Sequence, residues 1–480
     1  MPLSLWNRGF IALLITQFTV AFNDNVFRWL LVFIGIAYVE TRAEADIIRQ
    51  LGAVFLILPF LLWTAIAGFV TDRFSRRNAV IWCKAIELAL LAIAVGVICL
   101  GPPVGEELRD AGVPAKIYLL LGLLFLLGSQ SAFFSPSKYG LIPDLVPEKS
   151  ISAANGIIAM LTMFAIVSGM IVGGYIYEQT TSFLNVFNAE GIEERIADGI
   201  PGGNKIWITF LVIVGTATIG LITSFFIPKM KAVDSSAKFP KNPFWQTGKD
   251  LATLFSHRAL FWVAIASAFF WGLAALAQNN IAKYAIEYLK VSELYVTPLG
   301  AILTIGIGIG AVLCGYISGK RIELGLVPIG AFFMGLFVLI LGFTPGYGED
   351  VGIGMGSPLA MPYIFGAIVM FLAGLGAGLY DIPLAAYIQK NSPPAQRGRM
   401  IAAYNFCTFS AMLIFSTLGM LGAIIFDSLG LQGSLMVWIA TGLTTLAVCV
   451  WLLYRYYAEF KDFVNRFCRL NGLQEECDSM

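Results

Sequence analysis

Twelve stretches of this chain are nearly free of charged residues, and each is long enough to span a lipid bilayer as a helix. At about 1.5 Å of rise per residue, about 20 residues cross the roughly 30 Å hydrocarbon layer. The stretches fall near 10–38, 50–71, 78–100, 117–135, 152–176 and 205–227, then near 259–282, 296–318, 325–343, 361–388, 400–426 and 433–454. Composition agrees: 58% of the 480 residues are hydrophobic and 13% are charged, where soluble domains carry about 25% charged residues. The expected fold is all-α and integral to a membrane. Its twelve transmembrane helices would form two pseudo-symmetric six-helix bundles, 1–227 and 259–454, joined by a linker at 228–258 and followed by a tail at 455–480.

Charge placement orients this arrangement. Lys and Arg concentrate on the cytoplasmic side of membrane proteins. With the N-terminus inside, 21 of the 31 Lys and Arg residues fall in cytoplasmic segments, eight fall outside, and Arg28 and Lys84 lie within spans. Six of the 21 belong to the linker, which is also broken by Pro228, Pro240 and Pro243. Both termini are therefore expected in the cytoplasm, with the chain multi-pass in the inner (plasma) membrane.

The two halves echo each other. Asn25-x-x-Arg28 matches Asn280-x-x-Lys283, and Gly68-Phe-Val-Thr-Asp-Arg matches Gly315-Tyr-Ile-Ser-Gly-Lys. Phe134-Ser-Pro136 matches Asp381-Ile-Pro383, and Asn155 matches Asn405. The offsets are 255, 247, 247 and 250 residues, a drift that differences in loop length account for. Duplicated six-helix units place a transport path between the halves, with its site near the bilayer midplane.

One polar cluster stands out inside the first stretch: Asn23-Asp24-Asn25, then Arg28. Ionisable groups in hydrocarbon are costly and generally face a protein interior or a watery cavity. Lys84 and Glu87 raise the same question at a spacing of three residues, close enough to pair on one helix face. Gln278, Asn279, Asn280 and Lys283 form the matching set in the second half.

Gly68-Phe-Val-Thr-Asp72-Arg73-Phe-Ser-Arg76-Arg77 resembles the loop signature of the major facilitator superfamily. A more specific set resembles its lysophospholipid transporter family: Phe22-Asn-Asp-Asn-Val-Phe-Arg28, Lys84-Ala-Ile-Glu87, Ser135-Pro-Ser-Lys138-Tyr139-Gly140, Ala153-Ala-Asn155-Gly156 and Gln396-Arg397-Gly398-Arg399-Met-Ile-Ala-Ala-Tyr404-Asn405. The resemblance covers roughly residues 6–455. It implies the major facilitator fold and inward movement of a lysophospholipid, typically lysophosphatidylethanolamine, by alternating access. Relatives also occur fused to an acyltransferase, so a separate acyltransferase is a conceivable partner, alongside membrane lipids and a coupling ion, Na⁺ or H⁺.

On that resemblance, Asp24 is the leading binding residue, for a substrate ammonium or a coupling cation, with Asn23 and Asn25 completing its shell. Arg28 lies four residues on, on the same helix face. It either holds a phosphate or pairs with Asp24. Lys84 and Glu87 line the pathway or merely pair. Asn279 and Asn280 mirror the first-half site, while Lys283 binds substrate or anchors the outer interface. Asp381 is expected near the inner end of its helix, in gating or capping. Asp72, Arg73 and Arg77, with Arg397 and Arg399 in the second half, are expected to hold the cytoplasmic side shut. Lys138 and Tyr139 either meet a departing phosphate or reflect ordinary cytoplasmic charge.

Other classes lack their residues. The single histidine, His257, is followed four positions later by Phe261, which removes a His-x4-Asp acyltransferase pair. Gly319-Lys320-Arg321 is no phosphate-binding loop. The seven cysteines show no metal spacing and read as thiols. No cofactor, metal site, enzyme activity or nucleic-acid partner is expected. Two alternatives stay open: an exporter of small solutes or amphipathic drugs on the same fold, and a non-transporting membrane partner of an acyltransferase.

Overall fold

The computed structural model describes residues 5–36, 42–99, 115–180, 206–236, 238–291, 295–319, 321–345 and 360–471, and the described residues contain no strand. The helices are α1 (Arg8–Ile36), α2 (Arg42–Leu62), α3 (Thr64–Arg73), α4 (Arg76–Cys99), α5 (Ala115–Leu145), α6 (Ile151–Thr180) and α7 (Ile206–Ser224). After these come α8 (Pro243–Ser256), α9 (Arg258–Lys283), α10 (Val296–Ser318), α11 (Leu326–Leu341), α12 (Met361–Asn391), α13 (Arg397–Ser428), α14 (Gly433–Arg455) and α15 (Tyr457–Asn471). Among the described residues, ten helices are long and apolar enough to cross a membrane, or eleven if the bent pair α2–α3 is one span. The chain is thus an all-helical, multi-pass membrane protein. Each of the twelve apolar stretches carries helix, but α11 is only 16 residues long.

The α2–α3 break has a local cause. Pro59 has no N–H to give Phe55, and its ring crowds the preceding turn. The chain bends by 57° four residues later, where Trp63 stops α2 and donates its indole N–H to Ser129 at 2.9 Å.

Helix α1 is the hub of the first half, with 78% of its most apolar window buried, against 11% for α13. It packs on α6, α7, α5 and α2. In the second half α12 packs on α10, α11 and α9, and α9 packs on α13. Contacts of α10 and α12 with α6, and of α13 with α2, α3 and α5, join the two sets. The linker helix α8 lies on α3, α9 and α13, and we call that face of the molecule the linker end. Cys83, Cys314, Cys407 and Cys449 are free, whereas Cys468 is disulfide-bonded, a departure from the all-thiol expectation.

Glycine sets the closest helix approach. At Gly310 on α10, an added Cβ would lie 2.2 Å from the backbone oxygen of Leu375 on α12. Neither backbone can yield without parting the two helices, so Gly310→Val is expected to destabilise the protein by about 1–3 kcal/mol or more. A fall in the unfolding temperature of detergent-solubilised protein is the measure.

Candidate functional site

A cavity of about 190 Å³ lies where α1, α2, α5, α9, α12 and α13 meet. Its polar lining includes Gln17, Asp24, Ser131, Lys138, Asp381 and Asn405, and Phe60, Phe134, Trp271, Tyr404 and Phe409 form an aromatic wall. Proline helps shape it. Pro136 in α5 lies two residues before Lys138, and Pro383 in α12 lies two residues after Asp381. Each frees a carbonyl one turn back, which is tolerated at membrane depth where protein or a cavity surrounds it.

Three charged side chains converge on this space. Asp24 accepts a hydrogen bond from Ser131 at 2.8 Å through Oδ2, while its buried Oδ1 has no partner among the described residues. Asp381 has Trp271 as a donor, and its Oδ1 is likewise buried and unpartnered. The Lys138 ammonium sits over the Tyr139 ring, 4.2 Å from its centroid, and 5.9 Å from that of Phe134, without an ion pair among the described residues. Asp24, Lys138, Tyr139 and Asp381 are therefore brought together. Asp381 lies ten residues before the end of α12, about 15 Å inside the helix, in place of the expected inner end.

Other sequence candidates lie elsewhere. Asp24 and Arg28 form no ion pair. The Arg28 guanidinium instead rests 5.6 Å from the Trp29 ring centroid, its Nε lacks a hydrogen-bond partner, and it does not line the cavity. Asn25 donates to the Ala21 carbonyl at 2.8 Å. Lys84 and Glu87 pair at 2.7 Å with both side chains fully buried, joined by Thr19 and Asn23. Asn23 also accepts from Thr216 of α7 at 2.5 Å. Asn279 donates to Ser416 at 2.5 Å, Asn280 to the Ser434 carbonyl at 2.9 Å, and Lys283 pairs with Asp427. These last three hold α9 against α13 and α14.

The linker end is closed by polar contacts between the halves. Asp72 of α3 accepts from the backbone N–H of Gly398 at 2.9 Å and of Arg399 at 3.2 Å, capping the first turn of α13, where a helix dipole favours an anion. Arg397 approaches Asp144 at 3.5 Å, and Arg76 pairs with the same carboxylate at 2.5 Å. Asn155 and Gln389 exchange amide hydrogen bonds of 2.9 and 2.7 Å, and Asn405 donates to Ser135 at 2.9 Å. Arg77 instead caps the end of α7 through the carbonyls of Ile227 and Phe225. Arg73 is partly exposed and makes no ion pair among the described residues. The linker joins this region through Asp234 N–H to the Asp72 carbonyl at 2.9 Å and through Phe239 against Phe69.

Sequence reasoning passed over Gln17, Ser131 and Trp271. Gln17 is two turns before Asp24, on the same α1 face, and Ser129-Gln130-Ser131 is a polar triplet inside an apolar helix; both signals were available. Gln389 and Asp144 carried none, since each sits among ordinary helix-end polar residues.

The chain has counterparts among known proteins in sequence and in fold. The chain is 24% identical over 420 residues to "Lysophospholipid transporter LplT" of Photorhabdus laumondii, covering 85% of this chain and 87% of that one. It is 22% identical over 427 residues to the protein of the same name from Salmonella heidelberg, covering 86% and 87%. Among solved structures, FucP in the outward conformation aligns with a TM-score of 0.69 at 13% identity, over 93% of this chain and 98% of that one. A bacterial ferroportin homologue in the outward-facing state aligns at 0.62 and 15% identity, over 92% and 98%. The model of the Major Facilitator Superfamily matches residues 13–416. With that match spanning most of an all-helical, multi-pass chain, this protein belongs to the Major Facilitator Superfamily, a family of transporters.

Proposed function

We propose that the chain moves a lysophospholipid, foremost lysophosphatidylethanolamine, inward across the bacterial inner membrane by alternating access. The carrying observation is that one cavity holds a lysine and two carboxylates beside an aromatic wall. A single-chain zwitterionic lipid offers the complementary set: a phosphate for Lys138, an ammonium for a cavity carboxylate, and an apolar tail for the wall. An exporter of cationic drugs would use the carboxylates but leave Lys138 without an anion. The two relatives, each named as a lysophospholipid transporter, support the same substrate class.

The reading includes twelve crossings in two six-helix halves, with linker and termini cytoplasmic. The excess of Lys and Arg on that side, 21 against eight, supports the orientation. On that orientation the closed linker end is a shut inner gate, with Asp72, Arg397 and Arg399 in it. Labelled lysophosphatidylethanolamine is expected to enter vesicles carrying the protein. Lys138→Met, correctly inserted, should lower that uptake about tenfold or more, as loss of a charge-assisted bond of about 1.5–3 kcal/mol would. Absence of wild-type uptake across several lysolipids would overturn the substrate.

A further inference from the structure

We infer that Asp24, Ser131 and Gln130 form a sodium site between α1 and α5, and that the ion bound there drives transport. The three side chains are one connected unit. Ser131 donates to Asp24 Oδ2 at 2.8 Å, and Gln130 donates its amide N–H to Ser131 Oγ at 3.0 Å. The remaining oxygens of the unit, Asp24 Oδ1 and Gln130 Oε1, are buried and have no hydrogen-bond partner among the described residues. Gln17 repeats the pattern on the same α1 face. Its N–H goes to Thr162 at 2.9 Å, and its Oε1 is left buried and unpartnered.

Unmet buried acceptors are costly, at about 1–3 kcal/mol each, and here the unmet groups are all acceptors. The neighbouring ammonium of Lys84 is already committed to both oxygens of Glu87 and to Thr19. The Lys138 ammonium lies over the Tyr139 ring and donates to none of these oxygens, which are left calling for a cation. A proton on Asp24 would supply one O–H donor and so satisfy one amide oxygen at most, leaving the other of Gln130 and Gln17 unmet. Carboxylate, amide and hydroxyl oxygens are the ligands of hard metal ions, and a single carboxylate balances a single positive charge.

The arrangement also links ion to substrate. Lys138 lies near enough to Asp24 for their charges to interact. An ion at Asp24 alone would face that ammonium, whereas a phosphate on Lys138 neutralises it. Ion and phosphate therefore favour each other's binding, and by linkage the effect is mutual. Asp381, across the cavity, is left for the substrate ammonium.

The coupling role rests on the transport reading above; the ion site does not, and two measurements separate them. The first uses purified full-length protein without lipid substrate. Sodium chloride, compared with choline chloride at equal ionic strength, should raise the unfolding temperature by about 2–4 °C. The shift should vanish in Asp24→Asn and in Gln130→Met. No sodium-specific shift in the wild type would overturn the site. The second measures uptake of lysophosphatidylethanolamine and of lysophosphatidylglycerol, which has no ammonium. Sodium should stimulate both, and Asp24→Asn should lose both. Loss of the ethanolamine lipid alone would make Asp24 an ammonium contact and overturn the coupling role, as would uptake indifferent to sodium. A sodium shift without uptake of any lysolipid would uphold the site and overturn the transport reading.

Discussion

Lys84→Met alone is expected to destabilise the protein by about 3–5 kcal/mol, while Lys84→Met combined with Glu87→Leu should recover most of that loss. The reason is burial without solvent. Both side chains have no exposed surface, so removing the lysine leaves a carboxylate that water cannot reach. Glu87 would keep only the amide N–H of Asn23 at 3.1 Å. Removing both charges exchanges a closed ion pair for apolar packing of similar volume. The double variant still leaves Asn23 short of an acceptor, at a cost of about 1–3 kcal/mol, so recovery should be incomplete. Gly220 shows how closely the pair is enclosed: an added Cβ there would come within 2.5 Å of the Lys84 ammonium. Unfolding temperatures of wild type, single and double variants in detergent test this directly. Lysolipid uptake by the folded double variant tests the role: retained uptake marks the pair as structural, and lost uptake would return it to the transport pathway.

The same pair shows what the sequence could and could not decide. Charge inside an apolar stretch announced that Asp24, Arg28, Lys84 and Glu87 had to be enclosed, because the cost of exposing them to lipid depends only on their chemistry. Which of them face a cavity depends on partners far away in the chain. Thr216 and Asn23 draw the Lys84–Glu87 pair behind α1, and Ser131 holds Asp24 on the cavity side. The expected Asp24–Arg28 alternative failed for the same reason, since Arg28 found the Trp29 ring and Asp24 found a hydroxyl on α5.

Helix positions were largely legible from the apolar stretches, whose length lipid dictates. Their ends were less so, and that moved Asp381. The stretch was expected to end at 388, but α12 continues to Asn391, and the side chain turns into the cavity instead of capping an end. The internal repeat matched positions without fixing their contacts. Asn280 and Lys283 occupy positions matching Asn25 and Arg28, yet their partners are Ser434 and Asp427. A shared backbone position does not carry over the packing of its surroundings.

Asp72→Asn is expected to shift the population toward a state open at the linker end by about 30-fold or more. The carboxylate accepts two backbone N–H bonds across the halves, at 2.9 and 3.2 Å. It sits on the positive end of α13, and Arg399 adds a weak ion pair at 4.0 Å. Charge-assisted bonds contribute about 1.5–3 kcal/mol each, and the helix end adds about 0.3–1 kcal/mol. An amide keeps one acceptor and loses the charge, a deficit of about 2 kcal/mol or more, which is about 30-fold in population. The contact has no slack for repair, because an added Cβ on Gly398 would lie 2.6 Å from Asp72 Oδ1; Gly398→Ala should therefore act in the same direction. A cysteine placed at Ser135, where Asn405 closes the cavity floor, reports the change in a background lacking other cysteines. Its alkylation by a membrane-impermeant maleimide supplied from the linker side should accelerate in Asp72→Asn. Alkylation at the wild-type rate would show that Asn155–Gln389 and the shared Asp144 contacts keep that end shut without Asp72.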